Sequence, residues 1–183
     1  MSYEPFRVVV ADPPWSFSDK LPGKKRGAAS HYSTMSLDDI RRLSLPPIAA
    51  DAVLFLWRVS SQVEEAYSVV RAWGFKPKSE VVWVKTTKAG DANKPAFGMG
   101  RSVRASHESC VIATRGRPVR LSASVRSVFH APRLTHSEKP AAFFDLVERL
   151  YAGPYLELFA RRERPNWECV GGDLGKWLAV RAA

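Results

Sequence analysis

The chain has 183 residues, 45% of them hydrophobic, and a formal net charge of +10. This length suits a single domain over residues 1–183 with a sizeable core. No run of about 18 apolar residues occurs, so we expect no membrane partner, and the N-terminal MSYEPFRVVV lacks the features of a secretion signal.

The two cysteines, Cys110 and Cys169, lie in apolar runs and are expected to be buried free thiols of a cytoplasmic protein. They and the scattered histidines do not have zinc-ligand spacing, so we predict no metal site.

Short apolar runs alternate with helical patterns along the chain. Predicted strands lie at 7–12, 52–57, 80–85, 109–114, 127–131, 155–159 and 167–170. Helices are predicted from Leu37 to Leu43, before Gly74, and after Pro140. Strands that alternate with amphipathic helices indicate an α/β domain with a mainly parallel sheet.

Helix caps and apolar stripes refine the helix predictions. Ser36 is expected to cap the first helix, and Ser60 or Ser61 the second. The second helix is expected to bury Val63, Ala66, Tyr67 and Val70, and the third Ala142, Phe143, Leu146, Val147 and Leu150. A loop is expected from Ser16 to Tyr32, and another from Thr86 to Ser106.

Positive charge is concentrated in loop-like segments. Eleven Lys or Arg and three acidic residues lie between Lys85 and Lys139. A second cluster contains Lys20, Lys24, Lys25 and Arg26. From charge alone, a solvated surface and a polyanionic partner such as nucleic acid both remain open.

The first strand ends in Asp12-Pro13-Pro14-Trp15. In open α/β sheets, ligands bind beyond the carboxyl ends of strands. There the Asp12 carboxylate and the Pro13 carbonyl could accept the two hydrogens of an amino group, and Trp15 offers a face for a flat ring. The alternative is an ordinary proline-rich turn.

The DPPW motif resembles the signature of the MT-A70 family of S-adenosylmethionine-dependent adenine N6-methyltransferases. The segments that continue the resemblance, in the family's order, are HYSTMSLDDIRRL, VLFLWRVSS, WGFKPKSEVVWVKT, HESCVIATRG, SEKPAAFFDLVERL and YLELFARRERPNWECVGGDL. They extend it from Arg7 to Leu174. It implies an α/β Rossmann-like methyltransferase fold, with helices on both faces of a mainly parallel sheet and a circularly permuted motif order.

The resemblance also implies site residues. The catalytic set would be Asp12, Pro13, Pro14 and Trp15. Contacts to S-adenosyl-L-methionine would come from Asp12, Lys139, Phe159, Arg161, Gly172 and Asp173. Contacts to the substrate would come from Tyr32, Trp83, Lys85, Glu108, Lys24, Lys25, Arg26, Arg101 and Arg104. Core packing stays open for Phe159 and Trp83, and a buried ion pair with an arginine stays open for Glu108.

The implied function is direct methyl transfer to adenine N6 in nucleic acid, with DNA favoured over RNA. An RNA methyltransferase and a non-catalytic nucleic-acid-binding subunit are the alternatives. A nicotinamide-dependent enzyme is excluded because the glycine fingerprint is missing. Few residues precede Asp12, so a homodimer partner could cover the adenine of the cofactor.

Overall fold

The computed structural model describes residues 4–16, 34–89, 91, 94–96, 98, 102–134 and 138–179. Seven strands form one sheet: β1 (Phe6–Ala11), β2 (Ile48–Arg58), β3 (Lys76–Thr86), β4 (His107–Arg115), β5 (Val128–Pro132), β6 (Tyr155–Leu158) and β7 (Trp167–Val170). Three helices accompany them: α1 (Leu37–Arg41), α2 (Val63–Ala72) and α3 (Ala141–Leu150).

The strand order is β5-β3-β4-β2-β1-β6-β7. Strand β4 runs antiparallel to both of its neighbours, whereas the other four pairings are parallel. The carboxyl ends of all strands except β4 therefore meet at one edge, and β4 begins there. This confirms the predicted mainly parallel α/β sheet.

Helices cover both faces of the sheet, as expected. Alternate residues of β1 point to opposite faces: Val9 packs in the cluster that contains residues of α1 and α2, and Val10 packs in the cluster with α3. A strand buried on both faces requires a continuous apolar run, which explains the sequence VVVA from Val8 to Ala11, whereas Arg7 before it is exposed.

Several predicted boundaries differ from the observed ones. Strands β2 and β3 are each 11 residues long because neighbouring strands extend them: β1 pairs with the start of β2 at Ile48, and β4 pairs with the start of β3 at Lys76. Gln62, not a serine, is the N-cap of α2, and Val63 is exposed. On α3, Phe144 is buried where Ala142 was expected.

The prediction for Ser36 is confirmed, since its hydroxyl accepts a hydrogen bond from the Asp39 amide at 3.1 Å. Both cysteines are buried free thiols, also as predicted. Within the described ranges, no helix has the length and apolarity needed to cross a membrane. The predicted loop from 16 to 32 lies outside the described residues beyond Ser16.

Candidate active site

A cavity of about 880 Å³ opens at the edge where the strand ends meet. Its walls come from the residues after β1, the ends of β2 and β3, the start of β4, and the turns that follow β6 and β7. Strand β1 lies between β2 and β6, so the segment after Ala11 enters the middle of this cavity.

The segment Asp12-Pro13-Pro14-Trp15 is held in one shape by its own hydrogen bonds. The Trp15 amide donates to the Pro13 carbonyl at 2.8 Å, and the Pro14 carbonyl accepts from the Met35 amide at 2.9 Å. The Trp15 indole N–H donates to the Trp57 carbonyl at 3.0 Å, and the ring is buried while it still lines the cavity. A carbonyl oxygen has two lone pairs, so Pro13 keeps one for a ligand.

Asp12 is the first of four charged side chains that lie in a row along the cavity wall and alternate in sign. Lys139 Nζ lies 2.6 Å from Asp12 Oδ2 and 3.2 Å from Glu108 Oε2. Glu108 Oε1 in turn lies 2.5 Å from Lys85 Nζ. The Lys139 side chain is only 9% exposed, and its ammonium group lies 5.1 Å from the centre of the Trp57 ring. We call these four residues the charge chain.

The charge chain makes its two carboxyl groups chemically unequal. Burial raises the pKa of Asp12, and the attraction of Lys139 offsets this only in part. Burial acts the same way on Glu108, but Lys139 and Lys85 together hold the pKa of Glu108 below its ordinary value. Burial disfavours the charged form of Lys139, yet the two carboxylates raise its pKa. Lys139 therefore stays protonated, while the pKa values of its two carboxyl partners are shifted in opposite directions.

The other wall of the cavity is built from the turns after β6 and β7. Strand β6 ends at Leu158 because Phe159 has a φ of +63°. The Ala160 amide then donates to the Val170 carbonyl at 3.0 Å, which brings the two turns together. A Cβ on Gly171 would collide with the Ala160 carbonyl oxygen and lie 2.7 Å from the Ala160 nitrogen, so this close approach requires glycine.

A family model provides the comparison that decides the class of the protein. The MT-A70 model matches residues 6–173, nearly the whole chain. The chain belongs to the MT-A70 family. The resemblance read from the sequence is confirmed, and the MT-A70 chain is a member of a methyltransferase family.

Individual relatives of the MT-A70 chain fall into two groups. The Drosophila melanogaster N(6)-adenosine-methyltransferase MT-A70-like protein is 31% identical over 173 residues, which cover 92% of this chain and 27% of that protein. Human METTL3, an N(6)-adenosine-methyltransferase catalytic subunit, is also 31% identical, with 28% of its length covered. The Mycoplasma type II methyltransferase M.MunI is 28% identical, with 92% of this chain and 78% of M.MunI covered. The MT-A70 chain thus spans about a quarter of the METTL3-like relatives.

Most of the predicted site residues lie together at the cavity wall, although their roles stay predictions. The predicted site residues among those that line the cavity are Asp12, Pro13, Pro14, Trp15, Lys85, Glu108, Lys139, Phe159, Arg161, Gly172 and Asp173. The positive charge of Arg161 acts to lower the pKa of Asp12, so the two predicted sets of contacts approach each other there.

Trp83 and Arg104 lie elsewhere. Trp83 is 3% exposed, and its indole N–H donates to the Ala131 carbonyl at 2.9 Å, so its position corresponds to the core alternative. It supports the site from behind, since its ring packs edge-on against Trp57. Arg104 is exposed and is not among the residues that line the cavity. Five further predicted residues lie outside the described ranges: Lys24, Lys25, Arg26, Tyr32 and Arg101.

Sequence reasoning missed several residues of the cavity wall. Trp57 and Arg58 end β2, next to β1, and this position after a buried apolar run was the signal that could have identified them. His107 precedes Glu108 at the start of β4. Trp177 follows the last strand and had no periodic pattern to mark it.

Proposed function

We propose that the MT-A70 chain transfers a methyl group from S-adenosylmethionine to the N6 amino group of adenine in nucleic acid, with DNA favoured over RNA. One observation carries the proposal: Asp12 and the Pro13 carbonyl are acceptors at the wall of the cavity, in a segment that hydrogen bonds hold in place. An amino group on a flat ring is a ligand that this pair of acceptors fits.

The residues present fit the cofactor. S-adenosylmethionine has a carboxylate and an adenosyl group, and when bound it would supply an electrophilic methyl group. The cations at the wall, Lys139 and Arg161, suit the carboxylate. The close packing of Gly171 on Ala160 brings the turns after β6 and β7 together, so that residues of both turns can contact one nucleoside.

The residues of the MT-A70 chain act by position and charge. Asp12 Oδ2 is engaged by Lys139, which leaves Oδ1 to accept one hydrogen of the adenine amino group. The Pro13 carbonyl would accept the other, and both bonds make the nitrogen lone pair more available. The nitrogen must lose a proton after methylation. Asp12 would accept a hydrogen bond from this amino group, and its raised pKa suits it to take the proton and then release it to water.

Exposed arginines support a nucleic-acid partner. Five of them lie on or after β4 and beside β5, and none forms an ion pair with another described residue: Arg115, Arg117, Arg120, Arg126 and Arg133. The Arg133 amide donates to the Thr86 carbonyl, which places Arg133 at the edge of the sheet that carries the cavity. Phosphate groups are the natural partners of such a surface.

Methyl transfer to oligonucleotides tests the activity. The purified chain is incubated with methyl-tritiated S-adenosylmethionine and adenine-containing oligonucleotides. We expect Asp12→Asn to reduce transfer at least about 100-fold, because an amide replaces an acceptor oxygen by a donor. Asp38→Asn, at an exposed site on α1, is the matched control and should transfer normally. A wild type that transfers no more than Asp12→Ala, to DNA and RNA alike, would contradict the proposal and favour a non-catalytic subunit.

The preference for DNA needs its own comparison. Among the relatives reported above, the one covered over most of its length is the bacterial type II methyltransferase, and this supports DNA. DNA and RNA oligonucleotides of matched sequence, single- and double-stranded, should show faster transfer to DNA. Faster transfer to RNA would contradict the preference for DNA but not the proposed methyl transfer to adenine N6. Sedimentation of the same protein with S-adenosylhomocysteine tests whether a homodimer forms.

A further inference from the structure

Trp177 is the one exposed tryptophan of the chain. All six tryptophans lie in the described part; five are at most 6% exposed, whereas Trp177 is 77% exposed. Its ring lies over Gly172, where a Cβ would come within 2.6 Å of Cη2, and it lines the cavity. A large aromatic side chain left in water at the wall of a cavity is typical of a binding surface.

The backbone on both sides of Trp177 is fixed. The Lys176 amide donates to the Gly171 carbonyl at 3.1 Å, and the Ala179 carbonyl accepts from the Ser44 amide at 2.7 Å. Between these bonds, Leu178 packs against the core cluster of α1 and α2. Lys176 also forms ion pairs with Glu163 at 3.0 Å and Glu168 at 3.6 Å. The indole is therefore presented from an anchored segment.

The position of Trp177 selects one of the two adenines that the reaction involves. The charge chain and the turns after β6 and β7 both line the cavity, and Trp177 belongs to the second group because its ring lies over Gly172. The target amino group belongs at Asp12, so the ring beside Trp177 is a different one. The exposed carboxylate of Asp173 at the same wall can only accept hydrogen bonds when ionised, which favours a ring that carries an amino group.

We propose that Trp177 is the stacking surface for the adenine ring of the cofactor. This inference rests on the proposed use of S-adenosylmethionine. It makes Trp177 a binding residue: cofactor affinity should depend on its aromatic face, whereas turnover at saturating cofactor should not. Gly172 is part of the same surface, because any side chain there would displace the indole.

Tryptophan fluorescence offers a direct readout, because the other five indoles are buried. Acrylamide should quench mainly the emission of Trp177. We expect S-adenosylhomocysteine to protect this emission without any oligonucleotide present, and adenosine to protect it partly. Methionine, which has no adenine ring, should give no protection. Trp177→Phe identifies the signal, since it should remove the accessible component.

Calorimetry with S-adenosylhomocysteine then measures the contribution. Trp177→Ala should weaken binding about 10-fold, and Trp177→Phe should stay within about 3-fold of wild type, as expected for stacking on a flat face. Leu121→Ala removes an exposed apolar side chain outside the cavity and should bind normally. Circular dichroism and a thermal melt check that Trp177→Ala is folded.

Two results would overturn the inference about Trp177, and a third result would instead overturn the proposed cofactor. Unchanged affinity in Trp177→Ala would exclude a contact with the cofactor. Protection from acrylamide only when an oligonucleotide is added would assign Trp177 to a base of the substrate instead. A wild type that does not bind S-adenosylhomocysteine at all would contradict the proposed cofactor itself.

Discussion

The two walls of the cavity are built on opposite principles. The wall with the charge chain is formed by side chains: a lysine only 9% exposed lies between two carboxylates, with an indole beneath its ammonium group. The wall after β6 and β7 is formed by two turns, which the backbone packing of Gly171 against Ala160 brings together. The charges of the first wall are largely buried in ion pairs, whereas the second wall presents the exposed ring of Trp177 and the exposed carboxylate of Asp173.

This difference matches the two tasks in the proposed reaction. A reacting amino group needs acceptors that are fixed before the substrate arrives, and buried ion pairs fix them. A cofactor must enter and leave in every cycle, so its wall needs contacts that are accessible from solvent, including a stacking surface. Substitutions at the first wall should therefore change the rate, and those at the second should change folding or affinity.

The largest effect is expected at Lys139. Lys139→Met leaves Asp12 and Glu108 at the cavity wall without the cation between them, and we expect the methyl-transfer rate to fall at least about 100-fold. Removing one partner from a buried pair also costs about 3 kcal/mol of stability, which a thermal melt would show. Lys85→Met, at the more exposed end of the charge chain, is the matched control, and its methyl-transfer rate should fall less than about 10-fold.

A double variant separates the causes at Lys139. Lys139→Met with Asp12→Asn should regain part of the lost stability, because Asp12 is the carboxylate that loses its ion-pair partner, whereas Glu108 keeps Lys85. Equal rates for the two single lysine variants would contradict the central role of Lys139.

Substitutions of Gly171 and Gly172 test the packing of the wall after β6 and β7. Gly171→Ala forces a Cβ against the Ala160 backbone, and we expect a loss of about 3 kcal/mol, or roughly 6–12 °C in Tm. Gly172→Ala meets only the Trp177 ring, which can move, so Tm should change little while the affinity for S-adenosylhomocysteine falls. Differential scanning calorimetry compares the two. A Gly171→Ala protein as stable as Gly172→Ala would show that the β6–β7 turns are not tightly packed.

Glu108 is expected to control the pH profile. The rate should fall as the pH drops through the pKa of Asp12, since protonation removes the negative acceptor. The negative charge of Glu108 is one of the causes that raise this pKa. Glu108→Gln should therefore lower the pKa of Asp12 and move the acid limb of kcat/KM to lower pH. Glu64→Gln, exposed on α2, should leave the limb in place. A shift to higher pH would contradict the assigned coupling.

The sequence predicted the sheet well because buried strands have a simple signature. Apolar runs such as the one in β1 mark strands covered on both faces, and the strand at Trp167–Val170 was predicted with its observed bounds. Bounds were less accurate where pairing, not composition, sets the length. The polar start of β3 has no apolar run, and only its partner β4 makes it a strand.

The site was partly predictable for a different reason. Asp12 and Lys139 stand in recognisable motifs, but nothing local indicates that residues 127 positions apart form an ion pair. Trp83 shows that the sequence can also predict a site residue that in fact lies in the core. Its strand alternates in a way that fits a core residue and a cavity residue equally, and only the packing against Trp57 places it in the core. Trp15 presents the same ambiguity, since it is both buried and part of the cavity wall.

A comparison of Trp15 with Trp73 tests whether Trp15 acts as a core residue or as a residue of the cavity. The expected effect is the smallest of those predicted here. Both rings are 6% exposed, and both indole N–H groups donate to a backbone carbonyl at 3.0 Å, Trp15 to Trp57 and Trp73 to Ile40. Replacement by Phe removes this buried hydrogen bond and leaves a smaller ring in a space shaped for an indole, so each variant should lose about 1–3 kcal/mol.

Only Trp15 lies at the cavity, however, and its bond links the DPPW segment to the end of β2. Trp15→Phe should therefore also slow methyl transfer, by about 10-fold, while Trp73→Phe should lower Tm without changing the rate. Melts and initial rates measured on both proteins make the comparison. Equal rates would mean that Trp15 contributes packing alone, and that the two prolines suffice to hold the acceptors of the motif.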